Sequence, residues 1–128
     1  MKSFYFDKGI KVMIPDGWEE EKGDSLMSLY DPIEGVGALQ LSFYKVSNPD
    51  SIDLCKELEE YLNDKHDNIN IRRLANYAYC SVVDEDGVYW RYWLFLKLRD
   101  VVFASYNCDE AVKDQEYGVI DDIVKSLL

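Results

Sequence analysis

The stretch that decides how this chain begins to fold is Ile10-Lys11-Val12-Met13-Ile14-Pro15-Asp16-Gly17-Trp18. Its branched apolar residues alternate with Lys11 and Met13, which is the period-two pattern of a β-strand with one buried face. Pro15 cannot donate a hydrogen bond to a neighbouring strand, so we expect the strand to end there and the following Asp-Gly pair to form a turn. Trp18 lies just beyond the turn, and a side chain of this size is usually largely buried. The stretch therefore predicts a strand, a turn and a core tryptophan.

The chain continues mainly as strands, with two amphipathic helices. Period-two patterns predict strands over residues 25–30, 39–44, 74–83, 88–98 and 101–107, and residues 19–24 read as a solvated loop. Asn48 is placed to cap a helix that begins at Pro49 and ends at Leu62, before a polar connector over residues 63–70. A closing helix carries an apolar stripe at Tyr117, Ile120, Ile123, Val124 and Leu127. This order predicts an α+β fold with a mainly antiparallel sheet.

The predicted strand over residues 88–98 indicates that the sheet is covered on both sides. Trp90 and Tyr92 share one of its faces with leucines, while Trp93 and Phe95 lie on the other. Aromatic residues on both faces are typical of a sheet between two layers. We therefore expect an α/β/α sandwich.

The loop Asp84-Glu85-Asp86-Gly87 predicts a hairpin between the strands on either side of it. Pairing the two residues that flank this loop places Cys80 opposite Arg91. A two-residue turn at Arg99-Asp100 would place Cys108 opposite Arg91 as well. Cys80 and Cys108 would then be two strands, or about 10 Å, apart, which is too far for a disulfide.

Length and charge narrow the class of protein. The chain has 128 residues, so we expect a single domain over residues 1–128. It has 25 acidic and 14 basic residues, a formal net charge of -11. Nucleic acids and anionic membranes are recognised by basic surfaces, so neither is expected as a partner. A basic protein partner is compatible with this charge.

Cysteine usage and hydropathy point to a compartment. Cys55, Cys80 and Cys108 are odd in number and form no Cys-x-x-Cys pair, so we expect free thiols. The first residues contain no apolar run of signal-peptide length, and no segment approaches the roughly 18 apolar residues of a membrane-spanning helix. These features predict a cytoplasmic protein.

Candidate catalytic groups are sparse. The single histidine, His66, lies in the polar connector, and we interpret it as a solvated loop residue. The adjacent carboxylates at residues 121–122 and 19–21 are typical of solvated surfaces. The loop beginning at Asp84 resembles a calcium loop, but its twelfth position is Phe95 instead of a glutamate. We expect a protein that is not an enzyme and that needs no metal and no cofactor.

The order of elements resembles the PsbP-like α/β/α superfamily. The matching parts are the strand that ends in Ile14-Pro15-Asp16-Gly17-Trp18, the strand over residues 37–44 and the closing helix over residues 120–126. The superfamily includes an extrinsic photosystem II subunit, a Ran-binding nuclear import factor and many bacterial proteins. The resemblance implies a bacterial member with a binding or accessory role. No functional residue of the superfamily can be matched to a position of this sequence.

Three functions remain open on this sequence. The leading one is a non-enzymatic interaction or accessory domain, one form of which is an immunity-like protein whose acidic surface binds a basic toxin. The alternative is a small-ligand-binding domain with an aromatic-lined pocket, and the candidate binding residues are Trp90, Arg91, Trp93 and Tyr106. The third is an enzyme with a dispersed carboxylate site. An exposed apolar patch, an aromatic cavity or a cluster of groups with shifted pKa values would distinguish the three.

Overall fold

The computed structural model describes residues 1–7 and 10–128. Within these residues the chain forms nine strands and two α-helices. They are β1 (Lys2–Asp7), β2 (Ile10–Ile14), β3 (Glu19–Lys22), β4 (Leu26–Tyr30), β5 (Gly37–Lys45), α1 (Leu54–Leu62), β6 (Arg72–Leu74), β7 (Tyr77–Val83), β8 (Val88–Lys97), β9 (Asp100–Asp109) and α2 (Tyr117–Leu127). Short 3₁₀ turns at Pro49–Ser51 and Glu110–Val112 precede the helices.

Most of the strands join one antiparallel sheet, called the main sheet below. Its strand order is β3-β4-β5-β9-β8-β7-β6, so β8 and β9 lie near its middle. The strands β1 and β2 form a separate hairpin. The predicted α+β class with a mainly antiparallel sheet is therefore confirmed.

The main sheet is covered on its two faces by different elements. On one face, α1 packs against β6, β7 and β8. On the other face lie β2 and α2, which also contact each other. The resulting sandwich has a helical layer on one side and a mixed layer of helix and hairpin on the other.

Each face has its own hydrophobic core, as the aromatic residues of β8 predict. Tyr92 and Leu94 pack under α1, whereas Trp93 and Phe95 pack toward β2 and α2. Trp18 is 5% exposed and belongs to the core on the α2 side. The stripe on α2 is buried as expected at Ile120, Ile123, Val124 and Leu127, whereas Tyr117 is 41% exposed.

The acidic segment predicted as a loop is partly a strand. Glu19–Lys22 forms β3, which pairs with β4 at the edge of the main sheet. Charged side chains are compatible with an edge strand because they stay in water and discourage pairing with other chains. The sequence pattern does not predict the strand β1 either.

Two other boundaries differ from those that the pattern predicts. Asn48 makes no capping hydrogen bond, and α1 begins at Leu54, where the Asp53 side chain accepts the Lys56 N–H at 3.2 Å. The predicted strand over residues 74–83 is interrupted by a turn between β6 and β7.

The predicted hairpin register is wrong by one residue. Val83 pairs with Tyr89, so Cys80 lies opposite Tyr92 and not opposite Arg91. The reason is the Asp84 carboxylate, which accepts two N–H groups of the hairpin loop and thereby enlarges it.

The next turn is also displaced, because the Leu98-Arg99 pair connects the strands and Lys97 pairs with Asp100. As a result Arg91 lies opposite Tyr106, and Cys108 lies opposite Tyr89. Cys108 thus sits in the core on the α2 side, whereas Cys80 sits in the core under α1.

Candidate functional site

The four predicted binding residues do not meet in one pocket. Trp90 lies on the α1 side of the main sheet, whereas Arg91, Trp93 and Tyr106 lie on the α2 side. Tyr106 is 1% exposed, and Trp93 and Arg91 line a groove of about 150 Å³ on the α2 side, away from Trp90. The idea of one aromatic pocket around Trp90, Trp93 and Tyr106 is corrected accordingly, because adjacent residues of β8 point to opposite faces.

Arg91 serves to attach α2 to the main sheet. Its guanidinium lies 3.9 Å from the centre of the Tyr117 ring and 4.6 Å from the centre of the Trp93 ring. The guanidinium donates to the Tyr79 hydroxyl at 2.9 Å and forms an ion pair with Asp121 of α2. With 2% of its surface exposed, Arg91 has its charge satisfied inside the protein.

Tyr106 is part of a second buried polar contact. Its hydroxyl donates to Oε1 of Glu116 at 2.8 Å, and the Gly37 N–H donates to the same oxygen at 3.1 Å. Burial and the Glu116 carboxylate both raise the pKa of Tyr106, so the hydroxyl keeps its proton. This contact joins β5 and β9 to Glu116, the residue that precedes α2.

The α1 side of the main sheet is different, because in the described part of the chain α1 packs mainly over β6, β7 and β8. The opposite half of this face lies beyond these main contacts of α1, which reaches it through Tyr61 at Phe103. We call this half the open sheet face. It is formed by Ser28, Gln40, Ser42, Phe103, Ser105 and Asn107, with Trp90 and Tyr92 at its inner border. Its side chains are mainly polar, with aromatic rings toward the centre of the sheet.

A cleft of about 400 Å³ lies where the open sheet face meets the connector that follows α1. Its lining comprises Gln40, Lys65, His66, Asp84, Trp90, Tyr92, Phe103 and Ser105. His66 also lines two adjoining grooves, one against α1 and one against the β7–β8 hairpin loop. The connector and the hairpin loop therefore form the walls of the cleft, and the main sheet forms its floor.

Two hydrogen bonds hold the side chains of this cleft in place. Nε2 of His66 and the Tyr92 hydroxyl are 2.7 Å apart, which ties the connector to the sheet. Nε1 of Trp90 donates to Oδ2 of Asp84 at 3.0 Å, which ties the indole to the hairpin loop. His66 is half-buried and bonded, so its interpretation as a solvated loop residue is wrong.

The aromatic rings of the cleft floor are stacked in a row. The rings of Trp90 and Tyr92 are nearly parallel, 4° apart, with centres 5.8 Å apart. Tyr92 stacks on Phe103, and Phe103 stacks on Tyr61 of α1. A row of stacked rings presents a flat surface, not an enclosed cage.

The electrostatics of the cleft follow from these contacts. Hydrogen bonds from Trp90 and from the Val88 N–H lower the pKa of Asp84, so this carboxylate is ionised at neutral pH. Burial lowers the pKa of His66, although the Asp84 charge opposes this effect. Burial raises the pKa of Tyr92, so its hydroxyl remains protonated and can donate to a neutral His66.

Carboxylates border the open sheet face at both ends. At one end, the Tyr30 hydroxyl donates to Glu21 at 3.2 Å and to Glu19 at 3.4 Å, on the edge strand β3. At the other end, Asp84 and Asp86 belong to the β7–β8 hairpin loop. This arrangement favours a positively charged ligand.

One cysteine thiol lies close to the cleft. Cys80 lies beside Tyr92 on the same face, but burial raises the pKa of its thiol, and a thiol nucleophile needs a lowered pKa. Among the described residues, no group of three or more His, Cys, Asp or Glu side chains is placed to hold a metal ion. In the same residues, no helix has the length and apolar character needed to span a bilayer.

Sequence reasoning identified Trp90 but missed His66, Asp84, Tyr92 and Phe103 as site residues. The alternation along β8 already places Tyr92 beside Trp90, and this was the available signal. Nothing in the local sequence shows that the connector folds back over the sheet, so His66 could not be assigned.

Comparison with solved structures identifies the fold. The solution structure of cyanobacterial PsbP (CyanoP) from Synechocystis sp. PCC 6803 matches with a TM-score of 0.66 at 12% sequence identity, covering 98% of this chain and 89% of that protein. The Ran-binding protein Mog1p of Saccharomyces cerevisiae matches with a TM-score of 0.61 at 11% identity, covering 98% of this chain and 93% of that protein. The chain thus has a PsbP-like fold, as the pattern of elements predicts.

A crystal structure from Bacteroides thetaiotaomicron also matches, with a TM-score of 0.54 at 15% identity over 84% of this chain. The match spans only 41% of the length of that protein. No protein-family model and no curated protein matches this chain. The likeness to these solved structures concerns the fold, and function has to be argued from the site.

Proposed function

We propose that this protein is a non-enzymatic interaction domain that binds a basic segment of a partner protein on the open sheet face. The observation that carries the proposal is the open sheet face, most of which lies beyond α1 and which has carboxylates at both ends. The formal net charge of -11 adds a long-range attraction for a basic partner. Neutralisation of a basic toxin in the manner of an immunity protein is one form of this function.

The fold neighbours support a binding role in general terms. One of them is described as a Ran-binding protein. Another is a cyanobacterial PsbP. Neither description implies catalysis, and the lack of a lowered thiol pKa at Cys80 agrees with a binding role for this chain as well.

A second candidate function is the binding of a small ligand in the cleft. Its volume of about 400 Å³ lies within the range of small-molecule sites, and Trp90, Tyr92 and Phe103 supply aromatic surface. However, such sites bury roughly 70–90% of a ligand, whereas this cleft opens along the sheet. An extended protein segment fits an open cleft of this kind better than a small molecule does, so we favour the interaction domain.

The proposal can be tested by NMR titration of the ¹⁵N-labelled protein with a short peptide of alternating Arg, Lys, Gly and Ser. We expect shift changes at the amides of Gln40, Trp90, Phe103 and Ser105 and in the β7–β8 hairpin loop. The affinity should fall as salt is raised from about 0.05 M to about 0.3 M, because exposed charges are then screened. A peptide with Glu in place of Arg and Lys should cause no change.

Two matched variants test whether the carboxylates beside the open sheet face are the ones that strengthen peptide binding. Glu21→Gln removes a carboxylate at the border of the open sheet face and should weaken peptide binding about two- to fivefold, the range for one exposed ion pair. Asp122→Asn removes an exposed carboxylate of α2 on the opposite side and should leave binding unchanged. Equal effects of the two variants, or shift changes centred on α2, would overturn the proposal.

A further inference from the structure

We propose that the cleft beside Trp90 receives an arginine side chain of the partner, whose guanidinium stacks on the indole and hydrogen-bonds to Asp84. This inference rests on the proposed function and names the residue type that the open sheet face recognises. It follows from the shape of the cleft floor, the free hydrogen-bonding capacity of one carboxylate and the charge of the surrounding loops.

The indole of Trp90 is held in a fixed orientation. Its N–H is bonded to Asp84, one ring face lies along Tyr92, and the His66 ring lies 5.9 Å from its centre at an angle of 59°. The side chain is nevertheless half-buried and lines the cleft. A rigid aromatic surface of this kind binds a flat cation with little loss of side-chain freedom.

Asp84 retains the capacity for one more hydrogen bond. Its Oδ1 accepts the N–H groups of Asp86 and Val88, at 2.9 and 3.0 Å, and its Oδ2 accepts the indole N–H. A carboxylate has about four acceptor positions, so one remains on Oδ2, next to the indole. A donor bound there lies beside the Trp90 ring, which is the position a stacked guanidinium occupies.

The charges around the cleft favour a cation, although one positively charged side chain of the protein already lies there. Asp86 and Asp67 line the adjoining groove, and Asp84 carries a full charge at neutral pH. Lys65 lines the same cleft and is exposed at the start of the connector. Its ammonium group partly neutralises the site, so removing that charge should tighten the binding of an arginine peptide.

Arginine fits this arrangement better than lysine does. The guanidinium is planar and weakly hydrated, so it can stack on an indole and donate to a carboxylate at the same time. The lysine ammonium is a compact and strongly hydrated charge that gains less from a flat ring. The Gln40 side chain and the Ser105 hydroxyl on the cleft floor offer acceptors for the remaining N–H groups.

The test compares three peptides that differ at one central position, which is Arg, Lys or the neutral analogue citrulline. Binding is measured by calorimetry, and the indole Nε1–H resonance of Trp90 reports the site directly. We expect the Arg peptide to bind about three- to tenfold more tightly than the Lys peptide, and citrulline to bind most weakly. Lys65→Gln should strengthen binding of the Arg peptide.

Variants of Trp90 separate stacking from general charge attraction. Trp90→Leu should abolish the preference for Arg over Lys, whereas Trp90→Tyr, which keeps an aromatic ring, should retain most of it. Circular dichroism of both variants checks that they fold. Equal binding of the Arg and Lys peptides at the open sheet face would overturn the arginine site and leave the proposed function intact. Absence of binding by both peptides would overturn the two proposals together.

Discussion

At the scale of single residues, Arg91 shows how a charged side chain becomes part of a core. Its guanidinium is bonded to the Tyr79 hydroxyl, paired with Asp121 and enclosed by aromatic rings. Removal of one partner from a buried charged contact is costly because the remaining charge stays out of water without compensation. The stability of the α2 layer should therefore be sensitive to Asp121.

We predict that Asp121→Asn lowers the free energy of unfolding by about 1.5–3 kcal/mol, the range for a hydrogen bond to a charged group. Asp122→Asn is the control, because Asp122 is the adjacent residue of α2 and is exposed. Urea unfolding followed by circular dichroism measures both. Equal stability of the two variants would contradict the structural role of Arg91.

Gly37 is a position where only a hydrogen side chain fits. A Cβ added there would lie 2.8 Å from Cζ of Tyr106 and would overlap the carbonyl oxygen of Asn107. We predict that Gly37→Ala destabilises the protein by about 1–3 kcal/mol or more, since backbone atoms have to shift. Thermal unfolding measures the loss.

Gly118→Ala provides the matched control for this substitution. Gly118 is exposed in α2, and a Cβ added there meets no atom within 4 Å. Alanine has the higher helix propensity, so this variant should be as stable as the parent or up to about 1 kcal/mol more stable. A loss of stability comparable to that of Gly37→Ala would show that the cause is not local packing.

His66 should make stability depend on pH. Burial lowers its pKa in the folded state, and Lys65 adds to this, although Asp84 opposes it. The unfolded chain therefore binds a proton at this residue more readily, with an ordinary histidine pKa of about 6.5. Stability contributed by neutral His66 is present above that pKa and is lost as pH falls through and below it.

The measurement compares the parent with His66→Gln, which keeps a polar group near the Tyr92 hydroxyl. Urea unfolding at pH values from about 7.5 to about 5 should show a steeper loss of stability for the parent. Because the carboxylates are the same in both proteins, only the difference between the two curves reports His66. Parallel curves would mean that His66 has the same pKa in the folded and unfolded chain.

At the scale of secondary-structure elements, α1 and α2 have different tasks. The helix α1 is short and packs mainly over β6, β7 and β8, so within the described residues it reaches the open sheet face only at its inner border, where Tyr61 stacks on Phe103. The helix α2 contributes four core side chains and contacts β2. One helix therefore determines where the site lies, and the other mainly supports the fold.

We predict that deletion of residues 120–128 prevents stable folding. It removes Ile120, Ile123, Val124 and Leu127, each worth about 1.5–3 kcal/mol when buried. The sum is comparable to the whole stability of a small domain, about 5–15 kcal/mol. Near-ultraviolet circular dichroism should show lost tertiary packing. A cooperative transition near the parent midpoint would show that α2 is peripheral, and deletion of Leu128 alone should leave that midpoint unchanged.

At the scale of the whole molecule, the main sheet separates the cysteines. Cys80 lies in the core under α1, and Cys108 lies in the core on the α2 side. Cys55 is in α1 and is half-buried, and the structure has all three as free thiols. The sheet thus prevents Cys80 and Cys108 from approaching each other.

We predict that thiol titration of the unfolded protein, without reductant, finds three reactive groups. In the folded protein Cys55 should react first, because burial raises the pKa of Cys80 and Cys108 and shields them from the reagent. A single reactive group in denaturant would indicate a disulfide, and a bridge between Cys80 and Cys108 would contradict the arrangement of the two cores.

The sequence by itself determined the kind of fold. Alternating apolar residues in β2, β5 and β8 predict strands and the faces they bury, because side chains of a strand point alternately to opposite sides. The apolar stripe of α2 and the position of Trp18 predict the core on that side. These features could be predicted because each depends on residues that are close together in the chain.

The candidate site was decided only by the tertiary structure. His66 meets Tyr92 because the connector folds back over the sheet, and Trp90 meets Asp84 because the hairpin loop is one residue larger than the simple pairing predicts. The open sheet face exists because α1 packs mainly over β6 to β8 and reaches β5 near the end of that strand, where the Tyr44 hydroxyl donates to Glu57. Such contacts join residues that are distant in sequence, and their geometry depends on register and helix docking, which no local pattern specifies.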